Sequence, residues 1–106
     1  MSVEQIRQHL ASQYHLTESQ IAEMLPRFLE TLCSHMDDVE EALKNNDYKR
    51  LGEAGHKIKG AFLNLGLEEN AKKAFVLEKI GKEVDTESDC GQLAAELRAA
   101  VDSLLA

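Results

Sequence analysis

LGEAGHKIKGAFLNLG, residues 51 to 66, is the stretch that decides the fold. Leu51, Ala54/Gly55, Ile58, Phe62 and Leu65 recur at steps of three and four, which gathers them into one apolar stripe on a helix. The adjoining strip of the same helix is Gly52, His56, Lys59, Gly60 and Leu63, and this strip is expected to face outward. Each interior glycine costs a helix about 1 kcal/mol relative to alanine. That is a noticeable fraction of the roughly 5–15 kcal/mol that holds a domain together. Gly55 faces inward and permits close helix packing. Gly52 and Gly60 bracket His56 at one turn on either side, where room for the backbone of a partner would explain them.

The same helical reading extends in both directions from this segment. Asn46 or Asp47 caps its start and Gly66 ends it. Upstream, Thr17 with Gln20 forms a capping box that opens a long helix, and its stripe of Ile21, Leu25, Phe28, Leu32, His35/Met36, Val39 and Leu43 needs a facing partner. Pro26 lies inside that helix and is expected to bend it near Ala22. Val3, Ile6 and Leu10 mark a short helix before it. Downstream, Glu68 and Glu69 begin a helix whose buried face is Ala71, Ala74, Leu77, Ile80 and Val84. After a polar connection over residues 85–91, Leu93, Leu97, Ala100/Val101 and Leu104 line the last helix. No strand-like alternation occurs. The expected fold is all-α: an antiparallel up-and-down four-helix bundle with the short N-terminal helix laid across one end. The phenylalanines and methionines are read as core, His35 as a partly buried core residue, and His9 and His15 as surface residues.

Composition narrows the function. The 106 residues fit one domain, residues 1–106, and 43% hydrophobic with 29% charged residues is the make-up of a packed globular protein. There is no basic leader followed by an apolar segment and no apolar run of membrane-spanning length, so a cytoplasmic location is expected. A chain that is only domain-sized is read as a free-standing protein, and a monomer is expected. Cys33 and Cys90 have no metal-ligand spacing and are read as reduced thiols. A net charge of −7 argues against nucleic acid or an anionic membrane as partner. The charge is uneven, however: residues 49–82 hold eight basic and four acidic side chains, a local excess suited to an acidic partner.

The outer strip carries the chemistry. Imidazole titrates near neutrality, so a neutral ring nitrogen can attack a phosphoryl group without a dedicated strong base. Lys59, three residues on, lies within reach of an anionic group held on the His56 ring. A helical hairpin turning around Gly66 and Leu67 pairs positions summing to about 133, which brings Leu77 and Glu78 opposite residue 56.

His56-x-x-Lys59-Gly60 followed by Asn64-Leu65-Gly66 resembles the signature of histidine-containing phosphotransfer (HPt) domains. The segment FLETLCSHMDDVEEALKNNDYKRLGEAGHKIKG, with the later Leu77-Glu78, carries the likeness over about residues 18–105. The resemblance implies a bundle whose exposed histidine accepts phosphate from a receiver-domain aspartate and passes it to another receiver. It implies no nucleotide site and no kinase activity. His56 matches the phosphorylated residue, Lys59 the charge-balancing lysine and Glu78 the residue contacting the other ring nitrogen, with Gly60 giving a receiver access. Gly52, Leu63 and Lys57 join Gly60 as candidate docking residues. The implied partners are receiver domains of response regulators and hybrid sensor kinases, and the implied Mg2+ sits on the receiver, leaving this chain without a cofactor. Gly55 stands where the family usually has alanine, and Ala61-Phe62 replaces a frequent Ser-Ser.

Two other classes are weighed against this. A di-iron bundle would use Glu53-x-x-His56, but it needs two such pairs and only one is present. A helical adaptor without phosphate chemistry would show the same stripes, yet it has no use for the strip of His56, Lys59 and Gly60.

Overall fold

Local signals open and close the helices. The Ser2 hydroxyl accepts a hydrogen bond from the Gln5 amide while the Gln5 side-chain oxygen accepts one from the Ser2 amide, and Thr17 and Gln20 repeat the arrangement. These boxes start α1 (Val3–Tyr14) and α2 (Glu18–Lys44). Asp47 accepts from the Arg50 amide at 3.1 Å and starts α3 (Tyr48–Asn64). α4 (Glu68–Glu83) and α5 (Cys90–Leu105) complete the chain, and the Asp89 carboxylate takes up the Gln92 amide at the start of α5. The structure is a computed structural model that describes residues 2–105, so the two terminal residues of the expected domain lie outside the described residues. Among the described residues there are five helices and no strand.

The turn between α3 and α4 sets the geometry of the site. Gly66 takes a left-handed φ of 76°, the Leu67 amide reaches back to the Phe62 carbonyl at 2.9 Å, and the Gly66 amide reaches Leu63 at 3.1 Å. This is a Schellman closure, with Phe62 and Leu67 both buried beneath it. α3 and α4 then run back antiparallel, since His56 meets Glu78 and Lys59 meets Phe75 at a constant register. Their packing is the most extensive in the molecule; α2 packs on α3 and α5, α4 on α5, and α1 on α2. Leu32, Met36, Ile58, Phe62, Leu77 and Leu97 form the centre of the core. The overall extents of 44 × 23 × 18 Å follow from α2, whose 27 residues span about 40 Å.

α2 contains Pro26 and runs unbroken through it. Other expectations change. Val84 is not on the buried face of α4: it ends the helix at φ 52° and is 59% exposed. Phe75 is not core and is half exposed. His9 is half buried rather than a surface residue, with its ring lying over Gly66 and against Tyr14. His35 is partly buried, as its place on the stripe implies, with Nδ1 left without a hydrogen-bond partner.

Candidate functional site

His56 projects from α3 with 65% of its side chain exposed. Directly across on α4 lies Glu78, the one buried charged residue among those described. Its Oε2 is 3.1 Å from His56 Nδ1, its Oε1 accepts from Lys59 Nζ at 2.7 Å, and Lys82 Nζ donates to Oε2 at 2.7 Å. Burial pushes the Glu78 carboxyl up, but the hydrogen bonds from Lys59, Lys82 and His56 outweigh it and bring the value down to about 2. Glu78 is therefore ionised at neutral pH and can only accept. The proton of a neutral His56 ring must then sit on Nδ1, which leaves the lone pair on Nε2.

One carboxylate between two ammonium groups leaves a single net positive charge beside the imidazole. Lys59 is held between the Glu78 carboxylate and the face of Phe75, whose ring centroid is 5.1 Å from Nζ. An open hollow of about 650 Å3 adjoins His56, lined by Lys49, Glu53, Lys57, Lys82 and Val84 over the backbone of Gly52 and Gly81. An exposed imidazole with its lone pair turned to one nitrogen, in a cationic setting, can accept a phosphoryl group. Among the described residues no three His, Cys, Asp or Glu side chains gather into a metal-holding group.

A family model of the Hpt domain matches residues 23–106. The chain belongs to the Hpt domain family. Hpt domains are phosphocarrier modules of two-component signalling, not kinases, and their partners are the receiver domains of response regulators. Neither curated proteins nor solved structures contain a significant match to this chain. α1 lies outside the matched segment.

Within this Hpt chain, the residues expected from sequence separate into two groups. His56, Lys59 and Glu78 come together. Gly60 is open, since a methyl group added there would meet nothing within 4 Å. Leu63 is 49% exposed and Lys57 is exposed. Gly52 is a correction: it is buried against α4, where a methyl group would stand 3.3 Å from the Lys82 amide nitrogen. The physical reason is Gly81, whose own backbone lies so close to Gly52 that a methyl group on it would come 2.2 Å from the Gly52 nitrogen. Gly52 thus lets two helices touch, with the position of its missing side chain turned toward α4.

Two contributors were missed, Gly81 and Phe75, whereas the pairing of Glu78 with Lys82 one turn on is the spacing of an ordinary helical ion pair. The hairpin register contained the signal for both, because it sets Gly81 opposite Gly52 and Phe75 opposite Lys59. No helix among the described residues is long and apolar enough to cross a membrane.

Proposed function

We propose that this chain is a phosphorelay intermediate that takes a phosphoryl group on His56 Nε2 from a receiver-domain aspartate and passes it to another receiver. The observation that carries the reading is the 3.1 Å contact between Nδ1 of an exposed His56 and the carboxylate of Glu78. In the transfer, the Nε2 lone pair forms the N–P bond while the P–O bond to the aspartate breaks. The aspartate leaves with the bonding pair, and the Nδ1 proton stays on its hydrogen bond to Glu78. The reverse sequence delivers the group onward.

Lys59 is the charge-balancing residue. Its ammonium is already 2.7 Å from Glu78, so a short swing toward the ring suffices when a dianionic group arrives. Gly60 gives the receiver clearance, and Leu63 and Lys57 contribute to docking. The Mg2+ and most of the charge stabilisation belong to the receiver's acidic pocket, so this chain brings no cofactor. The scaffold is one domain, an antiparallel bundle of α2 to α5 with α1 across an end, acting as a cytoplasmic monomer. The closed sequence of contacts α2–α3–α4–α5–α2 supports the bundle.

The test is incubation with receivers phosphorylated in Mg2+. Wild-type chain should acquire acid-labile phosphate. His56→Gln should keep the helical circular-dichroism signal and acquire none; uptake by that variant would reject the assignment.

A further inference from the structure

Phe75 is an unusual residue for its position. It stands on the solvent side of α4, 48% exposed, between two lysines: Lys59 Nζ is 5.1 Å and Lys79 Nζ 5.9 Å from the ring centroid. The ring therefore does not belong to the core, and its surroundings are cationic. It faces Lys59, which bonds Glu78, which in turn bonds His56. One helical turn beyond Lys59 on α3 is Leu63, also half exposed. The open backbone of Gly60 lies between His56 and Leu63 along α3. The result is a face with the reactive imidazole at one end, half-exposed apolar side chains at the other, and lysines along its edge.

Resting on the phosphorelay reading, we infer that Phe75 is an anchor for the receiver domain, extending the docking face from α3 onto α4 and contributing to the affinity for receivers. Aromatic residues at the desolvated centre of an interface carry a disproportionate share of its binding energy, with charged residues better placed at the rim. A ring flanked by Lys59 and Lys79 fits that pattern for a partner whose phosphorylation pocket is acidic: the lysines steer the partner in and the ring is covered on contact. The cation–π contacts also hold the ring in place before the partner arrives, which lowers the ordering cost of docking.

A purely internal role makes a different prediction. If Phe75 served only to shield Lys59 from water, its loss would alter the Lys59–Glu78 pair and thus the chemical step, without changing recognition. The experiment separates the two by measuring initial transfer rates against receiver concentration, using a receiver domain charged with acetyl phosphate in Mg2+. For Phe75→Ala the half-saturating receiver concentration should rise at least about fivefold. Phe75→Leu should recover most of the loss. The lifetime of phosphorylated chain without receiver should be unchanged. A half-saturating concentration equal to wild type, or a fall in maximal rate alone, overturns the inference.

As an independent measurement on unaltered chain, the ring resonances of Phe75 should shift on titration with unphosphorylated receiver; their constancy through saturation also overturns it. Wild-type transfer with unaffected Phe75→Ala kinetics removes this inference and leaves the relay reading standing. Failure of wild-type chain to accept phosphate from any receiver removes both.

Discussion

Gly55 and Glu78 meet backbone to backbone: a methyl group on Gly55 would stand 2.8 Å from the Glu78 amide nitrogen and 3.0 Å from its Cα. This approach brings α4 near enough for a glutamate side chain to span from one helix to the imidazole of the next. Gly55→Ala would gain about 1 kcal/mol of helix propensity. It would also force two backbones apart, and neither can rotate away as a flexible side chain would, so overpacking of about 1–3 kcal/mol outweighs the gain. The variant should be less stable by about 1 kcal/mol in urea unfolding and slower to accept phosphate, because the displaced Glu78 no longer holds His56 Nδ1. Equal or greater stability than wild type would show that α4 yields without cost. Gly81→Ala, with its methyl group 2.2 Å from the Gly52 nitrogen, should be worse.

Gly60 gives the opposite result. It has open space where a side chain would stand, so Gly60→Ala should stabilise the chain by about 0.5–1 kcal/mol. A bulky residue such as leucine should also leave the fold intact while slowing transfer, because it fills the clearance beside His56. Thermal unfolding combined with transfer rates checks the pair. A Gly60→Leu variant that transfers at the wild-type rate would remove Gly60 from the docking face.

How much of this was legible in the sequence depends on the kind of information each residue needs. Helix existence was legible because caps and apolar periodicity are local, and Thr17, Asp47 and Gly66 act where they were read. The pairing of His56 with Glu78 was legible because a tight turn at Gly66 determines the register of the helices on either side of it. The depth of Gly52 was not, since it sits on the boundary of the stripe and its burial depends on how closely α4 approaches, which only Gly81 reveals. Residue type misled at Phe75, because apolar residues are free to be exposed and periodicity alone does not say which flank of α4 the partner helices leave open. Lys59 was read as an ammonium facing the ring; its resting partner is the carboxylate that also serves the ring.

Val84 closes α4 in a left-handed conformation, φ 52° and ψ 50°, that suits glycine and strains a β-branched side chain. The strain of about 1–2 kcal/mol exceeds the extra chain entropy that glycine loses on folding, about 0.5–1 kcal/mol. The side chain is 59% exposed, so little packing is lost with it. Val84→Gly should therefore raise stability by about 0.5–1 kcal/mol, read as a higher urea midpoint with an unchanged slope. A lowered midpoint would mean that the valine packs better than its exposure implies.

The last prediction concerns acid. The Glu78 carboxyl is held at about 2 in the folded chain, against an ordinary value of 4.5. A group whose folded value is depressed contributes stability above its unfolded value, and that contribution fades as pH falls from about 4.5 through about 2. The full difference is on the order of 3 kcal/mol. The share from Lys82 will be smaller than its short hydrogen bond suggests, because that side chain is 65% exposed and screened by solvent. Other carboxylates titrate in the same window, so the informative quantity is wild type minus Glu78→Gln, which keeps an acceptor for His56 Nδ1 but leaves Lys59 and Lys82 without an anion. Urea unfolding at pH 7 should find wild type more stable, with the gap shrinking steadily between about pH 4.5 and 2. A gap independent of pH would show that Glu78 stabilises the α3–α4 pair by shape and hydrogen bonding alone. The folded carboxyl would then titrate at its ordinary value, still ionised at neutral pH, and its pairing with Lys59 and Lys82 would add no net stability to the fold.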